Sequence, residues 1–221
     1  MSSGYRPLLG RRMRGPAMSV IVLAIIVIAV LGIRYADQDM PGRVDRILDA
    51  VISNRLRPDR PITYVLANLG DPAQAAILVA AVAAAAAAAR RWSGVLLAIV
   101  GTATAVTITE LILKPLIGRL RSGVLSFPSG HTTAVAAVAI AAAILIGGAQ
   151  WPRSIALRVL AAVAALAVAV GVAVSLVAQH AHYVTDTVGG YCVAVATMLG
   201  LALGLDHWRA ANRDGDGGLA G

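Results

Sequence analysis

The sequence predicts an all-α fold, a six-transmembrane helical bundle with a short amphipathic surface helix between spans 1 and 2. Three observations carry this. Hydrophobic residues make up 58% of the 221 positions and charged residues only 14%, with a mean hydropathy of +0.78, which excludes an ordinary soluble domain. The apolar residues gather into runs close to the roughly 20 needed to cross a bilayer, separated mostly by short charged loops. In the one long polar section, Val44, Ile47, Leu48, Val51, Ile52 and Leu56 recur at helical spacing with charges between them.

In chain order, residues 1–16 carry Arg, Gly and Pro and read as a mobile cytoplasmic tail. Ala17 to Ile33 is the first span. Arg11, Arg12 and Arg14 precede it as in a signal peptide, but its length and the lack of a persuasive small-residue cleavage site make it a retained signal anchor. Arg34 to Pro72 is polar, with six Arg and six Asp. Its amphipathic helix either guides a lipid or forms part of a loop packed over the bundle. Ala73 to Ala89 is the second span, rich in alanine and closed by Arg90-Arg91, and Ser93 to about Ile117 is the third. The fourth runs from Pro128 to about Gly148, with Trp151, Arg153 and Arg158 after it. The fifth covers about Leu160 to Ala178 and the sixth about Tyr183 to Leu205, followed by His207, Trp208, Arg209 and a Gly/Asp tail expected to be disordered. The domain organisation is thus a tail (1–16), a six-span membrane domain (17–206) and a cytoplasmic C-terminal tail (207–221).

The apolar content is mostly Ala, Val, Leu and Ile with a single Phe, so the helices should be slim and pack closely. A net charge of +8 does not point to nucleic acid, because the 19 basic residues are scattered through loops between apolar spans, where they act as topology determinants. Cys192 is alone within an apolar run, which leaves no disulfide framework and no thiolate metal site. Placing the N-terminus in the cytoplasm puts Arg6, Arg11, Arg12, Arg14, Arg90, Arg91, Arg153, Arg158, Arg209 and Arg213 there, ten of the 19 basic residues.

Lys114, Arg119, Arg121, the stretch Phe127-Pro128-Ser129-Gly130-His131 and the segment His180 to Asp186 then fall on the outer face. Cations on that face are on the wrong side for topology signals, so they are better explained as a site. Pro128 suits the first turn of a helix, whose free N–H groups and positive dipole end favour an anion. Cations, a helix start and histidines at one depth describe a phosphate site. Glu110, one turn before Lys114, is placed to orient it by an ion pair. His207, beside Trp208 on the opposite side, reads as an interface anchor.

These residues resemble the motifs of a known family. Lys114-Pro-Leu-Ile-Gly-Arg-Leu-Arg121 is similar to a Lys, six residues, Arg, Pro motif; Pro128-Ser129-Gly130-His131 matches the second; His182-Tyr-Val-Thr-Asp186 matches the His-x-x-x-Asp end of the third. The family is the type 2 phosphatidic acid phosphatases (PAP2), membrane lipid phosphatases related to vanadium haloperoxidases. The resemblance implies that His182 attacks phosphorus, Asp186 holds its other ring nitrogen, and His131 protonates the leaving oxygen and then assists water. It further implies that Lys114, Arg121, Ser129 and Gly130 bind the phosphate, with no cofactor and no metal.

Two departures stand out. Ser122 takes the place of the first motif's proline, a change expected to alter only loop stiffness. The third motif's Ser-Arg pair reads Ser175-Leu176, so a phosphate-binding arginine is missing. Arg119 reaching in, a protonated His180, or weaker phosphate binding are the open replacements. The expected partners are a phosphorylated lipid and the bilayer of a bacterial inner membrane, with no nucleic acid. Polyprenyl phosphate or diphosphate is the first expected substrate, phosphatidic acid or phosphatidylglycerophosphate the second. The alternative is a weakened or non-hydrolytic phospholipid-binding or transport protein of the same fold.

Overall fold

The computed structural model describes residues 7–56, 60–148 and 154–217. Arg6, Trp151 and Arg153 lie outside the described residues. The helices are α1 (Arg14–Tyr35), α2 (Arg43–Leu56), α3 (Pro61–Asn68), α4 (Pro72–Ala88), α5 (Trp92–Ile117), α6 (Gly130–Gly147), α7 (Ile155–Ala178) and α8 (Val184–Gly217), with a hairpin of β1 (Leu120–Arg121) and β2 (Val124–Leu125) between α5 and α6. Among the described residues, α1, α5, α6, α7 and α8 are each long and apolar enough to cross a membrane; α3 and α4, bent by 67° at their junction, together form a sixth candidate span.

The most enclosed span is α6, against which α4, α5, α7 and α8 pack. Its sequence explains this: Ala136, Ala137 and Ala141 are wholly buried, and a methyl side chain lets neighbouring backbones approach closely. Larger apolar residues face outward instead, as with Leu23, Ile26 and Ile33 on α1 and Leu160 and Val163 on α7, where lipid tails would meet them.

On α2 the polarity is inverted relative to a soluble helix. Val44, Ile47, Leu48 and Val51 are exposed, while Asp45 and Asp49, one turn apart, are buried against the bundle. The helix therefore turns an apolar face to the interface and two carboxylates to the protein. A separate helix, α3, follows it, which the reading of one amphipathic helix in this section did not resolve; Pro61 at its first turn starts it.

Two expectations at the chain ends are corrected. Residues 7–16 do not hang free, since Leu8 and Leu9 are buried and their N–H groups donate to the two oxygens of Asp206 at 2.8 Å each. The Gly/Asp tail after Arg209, expected to be disordered, is helical as far as Gly217, where α8 ends, and residues 218–221 lie outside the described residues. The Asp206 clamp brings Leu8 and Leu9 to the Asp206 end of the bundle. Asp186, near the start of α8, is about 30 Å away at 1.5 Å per helical residue.

Candidate active site

At that other end the chain places a helix start, a hairpin and a set of charged side chains. Pro128 precedes α6 instead of opening it; Ser129 is the N-cap, its hydroxyl oxygen accepting from the Thr132 N–H at 3.3 Å. The Ser129 N–H is not free for an anion, because it donates to the Asp186 carbonyl at 3.0 Å. By position, the Gly130 and His131 amides remain without helical partners. Close contact between this loop and α8 depends on glycine: a Cβ on Gly190 would lie 2.5 Å from the Ser129 carbonyl oxygen.

Arg121 leaves β1 at a two-residue turn in which Ser122 has φ 51° and Gly123 φ 80°. Positive φ at both positions is the pattern of a tight hairpin turn, and proline, locked near −65°, does not fit it. The departure from the family motif at Ser122 is thus a change of backbone, not only of stiffness. Ser122→Pro, which restores the family residue, is expected to lower stability by more than about 1 kcal/mol and to raise KM by displacing Arg121. An unchanged Tm with a lower KM would show that Arg121 does not depend on the hairpin.

The two histidines come together. Their ring centroids are 6.0 Å apart at an interplanar angle of 59°. Asp186 Oδ2 lies 3.6 Å from His182 Nδ1, and the same oxygen accepts the Tyr183 N–H at 3.0 Å. Nδ1 itself is buried and lacks a hydrogen-bond partner among the described residues, so the pair is poised rather than closed. His131 Nε2 lies 3.2 Å from Asp71 Oδ1. Asp71 is the N-cap residue of α4, yet its side chain does not cap that helix. The bend between α3 and α4 brings it there, and Gly70 makes the approach possible, since a Cβ on it would come within 2.7 Å of His131 Cβ.

Lys114 and Arg121 flank the histidines with carboxylates already beside them. Lys114 Nζ is 2.8 Å from Glu110 Oε2, and Glu110 is carried on a π-helical segment of α5, Ile108–Leu113. Glu110 also reaches the start of α6, where a Cβ on Gly130 would overlap its Oε1. Arg121 lies over the Tyr183 ring at 4.0 Å and 3.4 Å from Asp49 Oδ2. Burial pushes the Asp49 carboxyl up from its ordinary value, opposed by the Val184 N–H and the Arg121 guanidinium.

Arg119 does not reach in toward a phosphate. It is wholly buried, with Nη1 2.6 Å from Asp186 Oδ1 and from Thr185 Oγ1, and Nη2 2.6 Å from Asp45 Oδ2. The rings of Tyr35 and Tyr183 lie 3.9 and 4.4 Å from its guanidinium carbon. Two carboxylates and two aromatic faces occupy it, which corrects its expected role as a phosphate ligand. His180 is exposed in a left-handed backbone conformation, and Leu176 is buried in the apolar core.

Sequence reasoning missed Asp45, Asp49 and Asp71. The first two had a signal, acids spaced i and i+4 on the face opposite the apolar stripe of α2. Asp71 had none, because its contact depends on the bend between two helices.

A family model described as the PAP2 superfamily matches residues 46–209. Among solved structures, the chain is similar to a transmembrane PAP2 type phosphatidylglycerolphosphate phosphatase from Bacillus subtilis, with 23% identity, a TM-score of 0.63, and coverage of 86% of this chain and 96% of that one. No curated protein matches.

Proposed function

Because the chain belongs to the PAP2 superfamily and is a membrane lipid phosphatase by family and fold, we propose that it hydrolyses a lipid phosphate or diphosphate through a phosphohistidine on His182. The site faces the outer leaflet of a bacterial inner membrane, with both termini cytoplasmic. Polyprenyl phosphate or diphosphate ranks first and phosphatidic acid or phosphatidylglycerophosphate second, by family analogy.

The observation that carries the reading is two histidines with ring centroids 6.0 Å apart, each with its own carboxylate, Asp186 behind His182 and Asp71 beside His131. With its Nδ1–H turned toward Asp186, His182 presents the Nε2 lone pair to phosphorus. A P–N bond forms as the P–O bond to the lipid breaks, and the leaving oxygen takes a proton from His131. His131, now neutral, accepts a proton from water, whose oxygen attacks phosphorus as the P–N bond breaks, freeing the His182 imidazole and phosphate. Lys114, Arg121, the Gly130 amide and the Ser129 hydroxyl offset charge on the equatorial oxygens. Glu110 orients Lys114, while Arg119 holds Asp186.

One observation favours the rival, a binding or transport protein: Leu176, in place of a cation, is 4% exposed and packed into the core. Phosphate release from a panel of polyprenyl, glycero- and sphingo-type phosphates, measured in detergent with EDTA, separates the two. The expected result is metal-independent release, fastest from a polyprenyl substrate. Release that needs an added divalent ion would overturn metal independence, and specific binding without release from any lipid would favour the rival.

A further inference from the structure

We infer that Asp45, on the interfacial helix α2, is a positioning residue for the nucleophile, acting through Arg119 and Asp186; this rests on the phosphatase reading above. Asp45 lies before every sequence motif that marks the site, and on a different element from each. Its Oδ2 is 2.6 Å from Arg119 Nη2, and Arg119 Nη1 is 2.6 Å from Asp186 Oδ1. The other Asp186 oxygen faces His182. Asp45, Arg119 and Asp186 are all wholly buried, so water does not screen the charges from one another.

The geometry of the link is fixed at both ends. Asp45 Oδ1 accepts from the Thr185 N–H at 3.0 Å and the Thr185 hydroxyl at 2.8 Å, which ties α2 to the first turn of α8, one residue from Asp186. Arg119 has no room to swing, held between the Tyr35 and Tyr183 rings. The planar guanidinium therefore transmits the position of one carboxylate to the other.

The charge arrangement adds a second effect. A buried guanidinium paired with Asp186 alone would draw that carboxylate's charge to itself. Sharing Arg119 with Asp45 leaves Asp186 Oδ2 more basic toward His182 Nδ1–H, and so supports the positive charge that His182 gains on forming the P–N bond. Asp45 touches neither substrate nor His182. Its effect belongs in the chemical step and not in phosphate binding.

The test is a double-mutant cycle on the purified full-length protein in detergent, with phosphate release from a labelled lipid phosphate that the wild type hydrolyses. Asp45→Asn keeps an acceptor for the Thr185 N–H and removes the charge. It is expected to lower kcat ten- to a hundredfold and to change KM less than threefold. Combined with Asp186→Asn, it should cost no more than about threefold beyond Asp186→Asn alone, because one acts through the other. A merely structural role would multiply the losses. If Asp45→Asn does not fold, Thr185→Val, which removes the hydroxyl between Asp45 and Arg119, should lower kcat three- to tenfold with the same lack of additivity. A kcat within twofold of wild type, losses that multiply, or a raised KM at unchanged kcat would each overturn the inference. Wild-type protein without phosphate release, or release that survives His182→Ala, would defeat the phosphatase reading and the inference with it; the Asp45 outcomes are read only against an active, His182-dependent wild type.

Discussion

His182→Ala is expected to abolish phosphate release from every lipid in the panel, by more than about 10⁴-fold, on the scale seen when a covalent nucleophile is removed from a hydrolase. The reason lies in the order of bonds. Without the imidazole no P–N bond forms, and water would have to attack the phosphate ester directly, with no base placed for that first step. Phosphate binding should persist, because Lys114 and Arg121 are held by Glu110 and Asp49, not by His182. The variant should therefore bind a lipid phosphate with wild-type affinity and release nothing. Rapid quenching of the wild type with labelled substrate should trap a phosphoprotein stable to alkali and labile to acid, as a phosphoramidate is, and His182→Ala should lack it. Steady release by a folded His182→Ala protein would remove His182 from the nucleophile's role.

The fold was largely legible because each span is decided locally. The apolar runs ending at Arg90-Arg91 and starting at the polar segment around Ser129 place those helix ends to within a residue or two, whereas α7 starts at Ile155, five residues before the expected Leu160, and α8 runs past the expected Leu205 to Gly217. The alanine-rich composition foretold the close packing seen around α6. What lay hidden depended on contacts distant in sequence. Residues 7–16 look mobile until Asp206, nearly two hundred positions away, accepts the Leu8 and Leu9 N–H groups. Arg119 looks available for phosphate because it stands near Arg121, but it precedes β1 and is taken up by Asp45, Thr185 and Asp186, whereas Arg121 lies over Tyr183 beside Asp49. At Ser122 a substitution in a motif proved to be a change of backbone, visible only in the sign of φ.

Those long-range contacts also decide what His131 is able to do. His131→Gln is expected to slow release from lipid phosphates by about 10²–10⁴-fold, the range of general acid–base catalysis. The loss should depend on the leaving group. An alkoxide leaves poorly without a proton, whereas p-nitrophenolate leaves as the anion, so formation of the phosphohistidine from p-nitrophenyl phosphate should be almost unaffected. Hydrolysis of the intermediate, however, uses the same histidine as a base toward water. With the activated substrate the variant should therefore show a burst of p-nitrophenol followed by slow turnover, with phosphoprotein accumulating. Equal losses on both substrates and no burst would mean that His131 binds or positions the phosphate instead of moving protons. Asp71 sharpens the choice: at 3.2 Å from Nε2 it is placed to orient a proton-transferring imidazole, and a histidine that only contributed charge would have no need of the bend that brings it there.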